Sequence, residues 1–292
     1  MSEMEPIDER AAEPEGAPEA APVSPAFPPP PAPATRPLPA DVITPWGWKE
    51  LLLFVVVAFA GLILLTNIMA FATILWFKIK PSDIKSFIMT SATFLSLRTA
   101  VWYVFLIGYL YATICLGRPW PFWRTIGWRD FGKHGMPRAA RYAIFALSGM
   151  VLAIVVQLGS LAFQTKAKLP IEALFHNRRG VLILMAVGIL LAPAVEETIF
   201  RGYLYPVLAR GLGVEGGILA TGVLFGLMHA PQLWGGWGQI GLLILVGIVL
   251  TYARARTGSV VASWLLHVGY NTFLFAGFFI STGGLRHLPP LS

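Results

Sequence analysis

The chain has 292 residues, 56% of them hydrophobic and 13% charged, with a mean hydropathy of +0.67; a soluble domain carries roughly 25% charged residues, so a water-soluble fold is excluded and a multi-pass membrane protein expected. The net charge of +7 conceals an asymmetry: residues 1–50 hold nine acids and three bases, the remainder six acids and nineteen bases. That basic excess in short loops is what membrane topology requires, and it argues against nucleic-acid binding. The lone Cys115 excludes disulfides and cysteine metal clusters within one chain.

Residues 1–45 form an acidic arm rich in Pro and Ala, including Phe27-Pro28-Pro29-Pro30-Pro31. It has too little apolar content for a core and is predicted to be disordered, with polyproline II character. It has no apolar h-region and does not read as a signal peptide. Residues 46–292 form the membrane domain. Trp46, Trp48 and Lys49 mark an interface, and 51–77 is a first span, longer than the ~20 residues a crossing needs. Lys78, Lys80 and Lys85 follow it, and a second span covers 94–116, with Arg98 snorkelling near one end. Residues 117–141 are a basic loop with Trp120, Trp123 and Trp128 among Arg118, Arg124, Arg129, Lys133, Arg138 and Arg141, suited to lying on lipid headgroups.

The third span covers 142–163 and a polar connection covers 164–179. The fourth span starts at Gly180 and continues to about 208, with Pro193 predicted to kink it. Short fifth and sixth segments, 216–229 and 239–252, are separated after Pro231; Arg254 and Arg256 form a basic turn, and 260–280 is the seventh span. The expected fold is therefore all-α: a transmembrane bundle of about seven to eight helices. Ten bases against eight favour a cytoplasmic N-terminus. No internal repeat of the transporter kind is visible.

The fourth span carries two carboxylates and a guanidinium, Glu196, Glu197 and Arg201. Each charge at the bilayer centre costs roughly 2.5–3.5 kcal/mol on insertion scales, so their presence there points to function. Glu197 and Arg201 are four residues apart and suit an ion pair; Glu196 lies about 100° round the helix from Glu197 and is left for chemistry. Three further polar residues sit in the late spans: His229 after Phe225, then His267 and Asn271 one turn apart. In lipid each of these groups needs a partner, and the cheapest partners are one another. Such a cluster suits hydrolysis of an amide: a glutamate takes a proton from water, a histidine holds the water or protonates the leaving amine, and His and Asn donate to an oxyanion. Glu196, His229 and His267 also make a candidate Zn2+ shell, although no His-Glu-x-x-His occurs. A proton-coupled carrier is the third alternative, beside a non-catalytic scaffold.

The motifs Glu196-Glu197-x-x-x-Arg201, Phe225-x-x-x-His229 and His267-x-x-x-Asn271 resemble those of the CAAX-protease and bacteriocin-processing family, the Abi or type II CAAX prenyl endopeptidase-like intramembrane proteases. The resemblance covers residues 183–279, within a protease core of about 180–280. It implies a hydrolase of the cell membrane acting on membrane-associated peptides: prenylated tails, bacteriocin leaders or the tails of membrane proteins. It assigns Glu196 with His229 to water activation, His267 with Asn271 to the oxyanion, and Glu197, Arg201 and Phe225 to support. Members are called metalloproteases, and a metal-free glutamate mechanism is also argued for them. A bacteriocin-immunity role without catalysis is the alternative on the same fold.

Overall fold

The computed structural model describes residues 38–132, 135–163 and 169–288. Residues 1–37 of the predicted arm, Lys133 of the basic loop, and 164–168 of the polar connection lie outside the described residues. Among those described there are ten α-helices, several short 3-10 turns and no strand.

Helix α1, Trp48–Phe77, opens where the Gly47 N–H donates to the Glu50 carboxylate at 2.8 Å. It is apolar all round, and Leu52, Val56, Phe59, Ile63 and Phe71 all stand exposed, as a lipid-facing span requires. Short α2, Ile84–Thr90, leads into α3, Ala92–Cys115. The one-turn α4, Phe122–Thr125, belongs to the Trp-rich loop, and α5 is Arg138–Ser160. Then comes a 51-residue apolar stretch, Arg178–Met228. It comprises α6 (Arg178–Ala186), a π-helical turn (Val187–Leu191), α7 (Ala192–Glu197), a second π-helical stretch (Thr198–Leu204) and α8 (Tyr205–Met228). Helices α9, Trp237–Thr257, and α10, Val260–Ser281, complete the bundle.

Six stretches are long and apolar enough to cross a membrane among the described residues. At 1.5 Å per residue the fourth would be about 76 Å long, far beyond a ~30 Å hydrocarbon core. Gly213 resolves this: at φ 76°, ψ 166° it leaves the helix, and the chain reverses so closely that a Cβ on Gly217 would lie 2.7 Å from the Ala209 Cα. The stretch is two passes, as the separate fourth and fifth sequence segments anticipate. The expected kink at Pro193 takes the form of the π turn just before it.

The late helices meet backbone to backbone. A Cβ on Gly222 or Gly226 of α8 would stand 2.7 Å from the Ile248 or Ile244 nitrogen of α9. On α5 and α10, Gly149 and Gly269 face the Leu266 and Ala146 carbonyls across 2.0 and 1.9 Å by the same measure. Without water to drive apolar helices together in lipid, such close approach through small residues is what associates them.

Two surface segments clamp one end of this bundle. The arm reading extends to residue 45, but Leu38–Pro45 is built into the fold, with Val42 fully buried beside Tyr205 and Ala209. Asp41 pairs with Arg254; Arg210 donates to the Val42 and Trp46 carbonyls and to Thr44 Oγ1. The Trp46 indole donates to the Tyr203 carbonyl at 3.0 Å. Arg254 is thus buried rather than part of a solvated turn, because a carboxylate 213 residues away neutralises it. From the Trp-rich loop, the Trp128 indole donates to Thr198 Oγ1 at 2.9 Å, Arg129 Nε to the Gly258 carbonyl at 2.8 Å, and the Gly127 carbonyl accepts from the Val260 N–H at 2.9 Å. Its Trp120 and Trp123 are exposed.

Candidate active site

The two neighbouring carboxylates have different surroundings. Glu197 is wholly buried, and its Oε1 accepts from Arg201 Nη1 at 2.8 Å and His267 Nδ1 at 2.9 Å. Arg201, equally buried, is held from every side: Nη2 donates to the Gly247 carbonyl at 2.9 Å and Nε to Thr251 Oγ1 at 3.2 Å. The Phe225 ring covers its guanidinium, 4.4 Å from ring centre to Cζ. A buried charge pair is tolerated only when such hydrogen bonds replace the lost water. Glu197 and Arg201 are therefore a structural strut tying α7 to α9 and α10.

Glu196 turns to the other side, as its 100° offset predicts, and is 7% exposed. Its Oε1 accepts from the Tyr103 hydroxyl of α3 at 2.8 Å. Its Oε2 faces His267 Nε2 across 3.9 Å, too far for a direct hydrogen bond. The tautomer of His267 follows from its other nitrogen: an ionised carboxylate only accepts, so Nδ1 must carry the proton it gives Glu197. His267 Nε2 is thus the ring nitrogen turned to the Glu196 carboxylate, and a gap of 3.9 Å is one that a single water can bridge.

The remaining sequence candidates are nearby but differently employed. His229, at the end of α8, is half-buried; its Nδ1 lies 2.9 Å from the Phe225 carbonyl and donates to it, leaving Nε2 as its ring nitrogen without a partner among the described hydrogen bonds. The Phe225 ring packs on both imidazoles, 5.0 Å from His229 and 5.7 Å from His267, centre to centre. No hydrogen bond joins His229 to Glu196 among the described residues. Asn271 donates through Nδ2 to the Gly188 carbonyl at 2.7 Å. The cause lies in Pro193. In a π turn the Gly188 carbonyl looks for the N–H five residues on, and proline has none; Asn271 supplies it.

No group of three His, Cys, Asp or Glu side chains placed to hold a metal is found among the described residues; His267 Nδ1 is engaged by Glu197, so Nε2 is the ring nitrogen it has left for a water or an ion. The sequence reading missed Tyr103, Gly188 and Thr251. A signal existed for Tyr103 alone, a hydroxyl in the middle of an apolar span with a partner to find.

The family model "Type II CAAX prenyl endopeptidase Rce1-like" matches residues 178–273, a third of the chain. This stretch is similar to the Rce1-like endopeptidase domain. Neither the curated proteins nor the solved structures contain a match to the chain. The matched stretch runs from the start of α6 into α10, and so contains Glu196, Glu197, Arg201, Phe225, His229, His267 and Asn271. Tyr103 and the Trp46 and Trp128 clamps lie outside it. The chain is an integral membrane protein with a stretch similar to a prenyl endopeptidase family.

Proposed function

We propose that the protein is an intramembrane endopeptidase in which Glu196 activates a water for attack on a peptide bond, without a metal. The observation that supports this reading is the placing of Glu196 Oε2 opposite Nε2 of His267 across 3.9 Å. A water seated there gives one proton to Glu196 as its oxygen attacks the carbonyl carbon. The tetrahedral intermediate then collapses, and the proton leaves Glu196 for the departing amine. Tyr103 orients the carboxylate through its hydroxyl, and Glu197 with Arg201 fixes the His267 tautomer, as the orienting acid of a catalytic triad fixes its histidine. Asn271 gives one amide hydrogen to Gly188 and keeps the second for the developing oxyanion. His229 offers Nε2 to an N–H of the substrate or to the leaving amine. The reading places the enzyme in the cell membrane with its N-terminus cytoplasmic, which the loop charges favour.

The test is cleavage of a library of membrane-anchored peptides by purified protein, with elemental analysis of the same sample. The expected result is turnover that persists at substoichiometric metal and survives chelator. Loss of turnover in chelator, restored by zinc, would overturn the metal-free mechanism. A well-folded protein that cleaves nothing would favour the scaffold reading instead.

A further inference from the structure

At the clamped end of the bundle a cavity of about 510 Å³, with no residue of the Glu196 site in its lining, opens between the start of α5 and the end of α9. Phe131, Met136, Ile144 and Phe145 give it an apolar wall, and Arg141 and Arg256 a cationic rim. Its place is set by the two helices. Arg138 begins one span and Thr257 ends another, so Ile144 and Phe145 lie about 9–11 Å inside the first span at 1.5 Å per residue. That depth is where a lipid's headgroup gives way to its chains.

The charges at this end do not balance. Asp130 is the carboxylate shared by Arg138, at 3.5 Å, and Arg141, at 3.4 Å, and it also accepts from the Tyr142 hydroxyl. The N–H of Phe131 holds its carboxyl below the usual range, so it stays ionised. Arg141 spends Nη1 on the Met136 carbonyl at 2.8 Å, and its buried Nε has no acceptor among the described residues. Arg256 is exposed at the rim, and no acid pairs with it among the described residues. One carboxylate thus serves two guanidinium groups, and the third, Arg256, has no acid partner among the described residues, over a wall that only hydrocarbon would cover.

We propose that this cavity is a binding site for an anionic phospholipid, its phosphate held by Arg256 and the Nε–H of Arg141 and the start of an acyl chain laid on Ile144 and Phe145. Guanidinium matches phosphate in both charge and geometry, and the site asks nothing of the proteolytic reading. Native mass spectrometry of the full-length protein tests it, with phosphatidylglycerol and phosphatidylcholine supplied in equal, low amounts and glycerol 3-phosphate in a separate arm. Wild type should retain phosphatidylglycerol over phosphatidylcholine by about fivefold, the order expected of one base at an anionic surface. Arg256→Gln should bring that ratio close to one. Ile144→Trp, which fills the apolar part, should lower retention of both lipids. Excess glycerol 3-phosphate should not displace the lipid. Equal retention of the two lipids by wild type would overturn the proposal, as would an unchanged ratio in Arg256→Gln. Displacement by glycerol 3-phosphate would make it a soluble-phosphate site and overturn the lipid.

Discussion

Helices α1 and α10 are both apolar spans, yet they are built on opposite principles. In α1 only 17% of the most apolar window is buried, and its large side chains point at lipid. In α10 the figure is 39%, and glycines bring its backbone onto that of α5. The first kind of helix is held in the membrane by hydropathy and is indifferent to most side chains. The second is held by fit, and its fit sets where Glu197 and His267 meet. Chemistry in this protein resides where helices touch one another rather than lipid.

The sharpest way to break that contrast is one substitution made in both regions. Gly269→Ala on α10 drives a Cβ to 1.9 Å from the Ala146 carbonyl, where only backbone movement could make room. It should cost about 3 kcal/mol or more, or prevent folding. Gly61→Ala on α1 meets the side chain of Phe105 at 2.5 Å. That ring can turn away, and alanine is the better helix former by about 1 kcal/mol, so near-neutral behaviour is expected. Melting in detergent compares them, and equal losses would mean that α1 is as tightly specified as α10.

Arg201→Ala comes next. It leaves Glu197 buried and unpaired, which typically costs about 3–5 kcal/mol. Exposed Arg256→Ala should stay within about 0.5 kcal/mol. Arg254 is unsuited as a surface control, since Asp41 pairs with it in the interior. Indistinguishable melting of the Arg201 and Arg256 variants would remove the strut.

A smaller effect is expected at the clamp. Trp46→Phe keeps the ring but strands the Tyr203 carbonyl, a loss of about 1–3 kcal/mol. A chain begun at Leu38 keeps all these contacts and should melt and turn over as the full chain does. One begun at Gly47 loses Asp41, Val42 and Trp46 together and should be destabilised. Unchanged melting of the shorter chain would show that the clamp contributes nothing.

Much of this was legible in the sequence because it is local. The i, i+4 geometry of Glu197 and Arg201 anticipates their 2.8 Å pair, and Gly-rich 211–217 separates two passes that hydropathy alone merges. What was not legible depends on distant pairing. Tyr103 reaches Glu196 across 93 residues, Asn271 reaches Gly188 across 83, and Asp41 reaches Arg254 across 213. Periodicity orients a residue on its own helix and is silent about which helix faces it. The role of Pro193 was half legible: a break was expected, but not that it would claim the amide of Asn271.

The central claim is that two adjacent glutamates divide the labour, Glu196 for chemistry and Glu197 for structure. Melting temperature and single-turnover cleavage, measured together on Glu196→Gln and Glu197→Gln, test it most directly. Glu196→Gln should melt close to wild type, because an amide still accepts from Tyr103, and should lose about 10²–10⁴-fold in rate. Glu197→Gln should lower the melting temperature sharply, since Arg201 loses its counter-charge. Near-normal turnover in Glu196→Gln, or loss of stability there with none in Glu197→Gln, would contradict the account.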